Sequence, residues 1–445
     1  MRAGFGEPDV VTTPAIRSPV SGPGAPRDLS VARGAALYVG ALVGPGLLLL
    51  PGLAAAQAGP ASVLAWFALL VVSALIAVVF TALGKARASA GGVTGYAAAG
   101  LGPRAGTAVG WCFLAGVVCG APIVCLICAN YVTDLTGGGH AARCAVAAAL
   151  LLVVLGLALG GVRATTTVQL TLVALLIGAI AGSVAGSAPS ARAGNWIPFA
   201  PHGWTAIGHA AATLMLSFVG WEAVAPLTAR FKEPSRQLPR VIAIAFAVTT
   251  AIYLGLAVAT VAVLGTGAGT DVPLAALLVD AIGAPGRAAA AVLAVILTLG
   301  AVNAYLAGAI AVARNLAPAR AGLRTDHAFL AVIALAGLFA IGLYALHLLD
   351  AAQLVGLPSA LFLAVYLGCM ASAARTLTGA ARRAAVPAVI AVAAVMSFCG
   401  WAVLVVAAVS GTAALTGPRR SWPPGNPGPL ERPDGSGRGG HPPAA

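Results

Sequence analysis

Two short stretches of this sequence place residues suited to ligand chemistry inside long apolar runs. Ser217-Phe218-Val219-Gly220-Trp221-Glu222 sets a single carboxylate among apolar neighbours, with Pro226 close behind. Leu42-Val43-Gly44-Pro45-Gly46-Leu47 puts a proline between two glycines, and Pro51-Gly52 follows a turn later. Pro45 removes a backbone donor and clashes with the preceding turn, while the glycines carry little preference for helix. A helix broken there exposes N–H groups, which favour an anionic group, and carbonyls, which favour a cationic one. A zwitterion offers both. The plainer alternatives are a proline kink packed on a neighbour and a protonated Glu222 bonded to an adjacent helix, or one reaching water near a cytoplasmic helix end.

The elements that must hold these stretches are membrane helices. Hydrophobic residues make up 60% of 445 positions and charged residues 8%, with mean hydropathy near +0.97. A soluble domain carries about a quarter of its residues charged. Spans long enough to cross a ~30 Å hydrocarbon layer are expected at about 34–58, 62–83, 106–132, 142–160, 165–186, 207–228, 241–264, 288–313, 327–346 and 352–373. A final stretch, 385–416, reads as one long helix or as two short ones meeting near Cys399-Gly400-Trp401. The runs are unbroken rather than alternating, so helices are expected and not a barrel. Residues 1–28 and 417–445, rich in Pro and Gly, read as disordered tails around a transmembrane domain at 29–416.

The net charge of +13 does not point to nucleic acid, because the basic residues stand singly or in small groups between apolar runs. They sort by side instead. With the N-terminus inside and a terminal hairpin, only Arg143, Arg192 and Arg287 of the 25 basic residues fall outside, the bias expected of a cytoplasmic N-terminus in a cell membrane. Cys125 and Cys128 form a CxxC within an apolar span, with no second pair or nearby His, so packing is expected of them and no metal or other cofactor is implied. His202, His209 and His347 lie near outward ends and read as interfacial hydrogen-bonders.

Glu222 is the only acidic residue inside an expected span, where a charge costs at least about 2.5 kcal/mol. The two interrupted spans are the first and the sixth, matching positions of two five-helix halves. Interruptions so placed point to a transporter built from inverted repeats with its site at the midplane.

From about residue 30 to 416 the sequence resembles the amino acid–polyamine–organocation permeases, and within them the bacterial exporter-like branch for methionine and branched-chain amino acids. The matching residues are Gly44-x-Gly46, Ser89-Ala90-Gly91-Gly92, Gly110-Trp111, Ser217-Phe218-x-Gly220-Trp221-Glu222, and Phe231-Lys232-x-Pro234-x-Arg236-x-x-Pro239-Arg240 in the following loop. The resemblance implies an all-α membrane protein with a LeuT-like 5+5 inverted-repeat bundle and about 12 transmembrane helices. It further implies that Val43, Gly44, Gly46 and Leu47, around Pro45, hold the substrate's charged ends together with Ser217, Phe218, Val219 and Gly220. Trp221 and Glu222 match positions that line or gate the site, and Asn303-x-Tyr305 matches an Asn-x-Tyr of the branch. The sequence departs from the family at Pro45, where Ser or Thr is usual. It departs also at Ala88 for a usual Pro, and at Arg230 and Glu233, where close relatives have an acidic residue and Asn.

The expected function is secondary transport of neutral or apolar amino acids by alternating access. The two lysines, Lys85 and Lys232, fall in expected loops, so a membrane-lysine proton route is not expected. Glu222 remains the candidate proton carrier, and Thr298 is the hydroxyl nearest the middle of the eighth span for a sodium site. Exchange without a coupling ion stays open. The competing readings are a carrier of amines, polyamines or cationic amino acids, a non-transporting receptor, a membrane-embedded enzyme and a channel. The last two lack, respectively, clustered carboxylates or His and repeated filter loops or polar rings.

Overall fold

A computed structural model of the chain describes residues 29–86, 92–161, 166–223, 231–316 and 322–416. The described residues are helical apart from turns and connections. Ser30 caps α1 (Val31–Leu42) by accepting from Arg33 N–H at 3.3 Å. The chain then opens at Val43 and Gly44, makes a 3-10 turn over Pro45–Leu48, and re-enters helix as α2 (Leu50–Ala58). After α3 (Ser62–Ala86), α4 (Gly92–Leu101) and the long α5 (Pro103–Thr136) come α6 (His140–Leu159) and α7 (Thr166–Ser187).

The sixth apolar run repeats the pattern of the first. The helix α8 (Thr205–Leu214) tightens into a 3-10 turn at Met215–Phe218, extends at Val219, and turns again at Trp221–Ala223. The remaining helices are α9 (Pro234–Leu264), α10 (Pro273–Ile282), α11 (Pro285–Leu316), α12 (Gly322–Ala345), α13 (Ala351–Thr376), α14 (Gly379–Met396) and α15 (Ala402–Thr416). Among the described residues, nine helices are long and apolar enough to cross a membrane. The expected tails, Ser89-Ala90-Gly91, Ala88, Pro226 and Arg230 lie outside the described residues.

Several elements differ from expectation. The segment after the sixth run is helix from Pro234 onward and not a loop. Pro234 stands in the first helical position, where its missing N–H costs nothing. The terminal stretch takes the second of its two expected arrangements, two helices, α14 and α15, meeting where Gly400 turns with φ +56. Two helices of ten residues, α4 and α10, were not expected. Both are too short to cross a membrane.

The interior is built around α5, which packs on α4, α6, α11, α12, α13 and α15. Its small residues Gly116, Gly120 and Ala121 let neighbours approach closely; the ring of Phe362 on α13 lies 3.1 Å from where a Cβ on Gly116 would stand. The outer helices show the reverse, with large apolar side chains such as Leu152, Leu175, Leu335, Phe339 and Ile390 exposed, as lipid-facing surfaces require. Ion pairs Arg143–Asp271 and Arg287–Asp134, each 3.1 Å, tie helix ends together on one side of the bundle. Arg192 joins the same neighbourhood through its backbone N–H to Ala262 O, 2.9 Å, near the end of α9. Arg314 pairs with Asp326 between α11 and α12.

Candidate functional site

The two breaks meet. Gly220 adopts φ +138, and a Cβ there would stand 2.4 Å from Ala41 O at the end of α1. Only glycine permits this approach, because both the backbone conformation and the carbonyl exclude a side chain. The chain thereby brings Ala41, Leu42, Gly44, Pro45 and Gly46, with Leu216, Ser217 and Val219, to the wall of one cavity, closed by α5, Ala301, Val302 and Tyr305 of α11, and Phe362 of α13. It offers about 70 Å³ of room for the centre of a water-sized sphere. That is about half the volume, roughly 150 Å³, of a cavity that accommodates benzene, so it suits a small solute. The walls are almost wholly apolar. Their polar content is backbone of the breaks, the Ser217 hydroxyl and Tyr305.

Tyrosines hold the broken ends. Tyr253 of α9 places its hydroxyl 2.7 Å from Leu42 O and 2.5 Å from Ser217 O, stitching one break to the other. Tyr131, near the end of α5, donates to Leu48 O at 2.5 Å and accepts from Leu274 N–H at 3.3 Å. Tyr366 of α13 donates to Glu222 Oε2 at 2.7 Å, and its oxygen lies 3.1 Å from Gly220 N and 3.3 Å from Phe218 O. Glu222 also accepts from Gly220 N–H at 3.0 Å. The Glu222 carboxyl group is therefore tied to the second break and to α13, with two donors on one oxygen.

Of the residues expected at the site, Gly44, Pro45, Gly46, Ser217, Val219 and Tyr305 line the cavity. Val43, Leu47, Phe218 and Gly220 stand behind it in the backbone of the breaks, and their side chains, where they have one, are buried. Phe218 packs against Trp66 and Tyr253. Trp221 faces away from the cavity: its Nε1 donates to Ser73 Oγ at 2.7 Å, and its ring packs near Tyr38 and Phe246. Glu222 is beside the second break but not on the cavity wall. Asn303 is buried off the wall while its neighbour Tyr305 is on it, and Thr298 is fully buried off the wall as well.

Sequence reasoning missed Tyr131, Tyr253, Tyr366 and the small face of α5. The signal was available in part, since a tyrosine deep in an apolar helix needs a partner for its hydroxyl. Nothing in one sequence says which partner.

Against known proteins, the family described as "Amino acid permease" matches residues 29–414. The chain belongs to the amino acid permease family. This permease is 30% identical to the uncharacterized amino acid permease YecA of Bacillus subtilis (strain 168), over 85% of its own length and 92% of that protein's. It is 32% identical to the L-methionine/branched-chain amino acid exporter YjeH of Escherichia coli (strain K12), over 53% of its length and 56% of the exporter's. A similarity of 26% to the branched-chain amino acid permease BcaP of Bacillus subtilis (strain 168) covers 55% and 57%. The permease is thus a multi-pass membrane protein of a transporter family within the amino acid–polyamine–organocation superfamily.

Proposed function

We propose that the chain is a secondary transporter of neutral, mainly apolar amino acids in the cell membrane. It works by alternating access around the two broken helices. The observation that carries this reading is the single cavity bounded by both breaks, apolar elsewhere and sized for a small zwitterion. Backbone groups at membrane depth are tolerated only where they are buried in protein or line such a cavity. In this reading α1 with α2 forms the first crossing, the run containing α8 the sixth, and α14 and α15 the last two. That gives about 12 crossings arranged as a LeuT-like five plus five with two appended. The N-terminus is cytoplasmic, which keeps Arg143, Arg192 and Arg287 outside.

Glu222 serves as the gate or proton-coupling residue, since it locks the second break to Tyr366. The test is counterflow of radiolabelled leucine, methionine, valine and isoleucine in proteoliposomes, wild type beside Glu222→Gln. Saturable counterflow in the wild type establishes a carrier. If Glu222→Gln keeps exchange but loses accumulation driven by a pH gradient, the carboxyl is the proton site; if both are lost, it is a gate. No counterflow from folded, inserted protein overturns the substrate class. One feature favours a second reading, a carrier of amines that lack a carboxylate: Pro45 withholds an N–H at the point where such a group would be received.

A further inference from the structure

We infer that the Ser217 hydroxyl supplies the carboxylate-binding donor that Pro45 removes from the first break, so that this carrier reads the carboxylate from both broken helices at once. The inference rests on the transport reading above and assigns Ser217 a role distinct from that of its carbonyl, which Tyr253 already occupies.

The donors at the first break can be counted. Val43 N–H bonds to Val39 O at 2.7 Å, Gly44 N–H to Leu42 O at 3.0 Å, Leu47 N–H to Gly44 O at 3.2 Å, and Leu49 N–H to Gly46 O at 3.1 Å. Pro45 has no N–H. Gly46 N–H makes no hydrogen bond among the described residues, which leaves it as the one backbone donor of residues 43–47 free for a ligand. A carboxylate held by one neutral donor in an apolar cavity is poorly repaid for its desolvation.

Ser217 sits opposite. Its residue is 4% exposed, and its Oγ has no hydrogen-bond partner. That oxygen lies 3.2 Å from where a Cβ on Gly46 would stand, and both residues line the cavity. A buried hydroxyl without a partner costs free energy that native proteins seldom leave uncompensated, and a ligand oxygen at Gly46 would compensate it. Gly46 must also stay glycine for this, because a methyl group would crowd the hydroxyl.

The experiment is competitive counterflow at pH 6.5, where a free amino acid and its carboxamide both carry an ammonium group. The labelled substrate is whichever of leucine, methionine, valine and isoleucine exchanges fastest, competed by its own unlabelled acid and by its carboxamide. The wild type is expected to prefer the acid by about 10–100-fold, the range one hydrogen bond to a charged group supplies. Ser217→Ala should bring that preference to within about threefold by weakening the acid and sparing the carboxamide. Ser217→Thr should keep it, and Pro45→Ser in the Ser217→Ala background should restore it.

A wild-type preference retained in Ser217→Ala overturns the inference while leaving transport intact. A wild type that accepts acid and carboxamide alike overturns it in favour of the amine reading. No counterflow of any of the four amino acids overturns the transport reading and this inference together. Should Ser217→Ala not fold, Ser217→Cys carries the test: its thiol is a weak donor and should lower the acid preference, and an unchanged preference overturns the inference.

Discussion

At the scale of single residues, the two glycine positions that frame the cavity make opposite demands. Gly220 combines φ +138 with a carbonyl 2.4 Å from its would-be Cβ, so Gly220→Ala must move backbone in one of the two breaks. Strain of this kind costs about 1–3 kcal/mol before any clash is counted. Gly44 has φ −103 and no atom within 4 Å of its would-be Cβ, so Gly44→Ala should fold as well as wild type while placing a methyl group in the cavity. The expected outcome is a Tm lowered by several degrees for Gly220→Ala. For Gly44→Ala the Tm should be unchanged and KM raised for the larger amino acids before the smaller ones. Thermal unfolding of detergent-solubilised protein followed by size exclusion, beside uptake kinetics, reads both. Equal loss of Tm in the two variants would show that the breaks are not packed as described.

At the scale of elements, the breaks are a property of two chain segments held by a third. Tyr253 hydroxyl is shared between Leu42 O and Ser217 O. Tyr253→Phe therefore strips the cross-link between the first and sixth runs without altering the size of the core. We expect a cost of about 1–2 kcal/mol, at the upper end for one hydroxyl inside a membrane protein because Ser217 O loses its hydroxyl partner and Leu42 O keeps only Gly44 N–H. Tyr253→Phe should lower Tm and reduce transport more than Thr136→Ala, whose hydroxyl bonds only its own helix at Val132 O. Matching losses in the two variants would refute a special role for the cross-link.

The break itself was legible from Gly44-Pro45-Gly46, because proline and glycine disfavour helix wherever they stand. The stitching was not, because Tyr253 is 36 residues from Ser217 and 211 from Leu42, and one sequence carries no sign of which helices adjoin. For the same reason Trp221, read as facing the site, turns out to pack on Ser73: position along a broken segment does not fix the direction of a side chain once the 3.6-residue period is lost. The short helices α4 and α10 escaped because ten residues are too few to signal a crossing.

At the scale of the whole molecule, the unequal distribution of basic residues becomes a statement about orientation. Two of the three residues assigned outside, Arg143 and Arg287, are paired with Asp271 and Asp134 at 3.1 Å, and Arg192 lies near them along the chain's return at Ala262. One end of the bundle thus collects these three cations and offsets two of them with carboxylates. By contrast Lys85, Arg382 and Arg383 stand at helix ends whose sequence neighbourhood is basic. A field of positive charge retained on one side is what the cytoplasmic face of a multi-pass protein carries. Cysteine labelling in intact cells tests this directly. The seven native cysteines are buried or half-buried, so a membrane-impermeant maleimide should find little background. Arg192→Cys, at an exposed position outside the pairs, should label from outside without permeabilisation, and Arg382→Cys only after it. The reverse pattern would invert the bundle and put the basic residues on the wrong side. Labelling of both sites from outside would remove at least one crossing between residues 192 and 382, and with it the reading of about 12 helices.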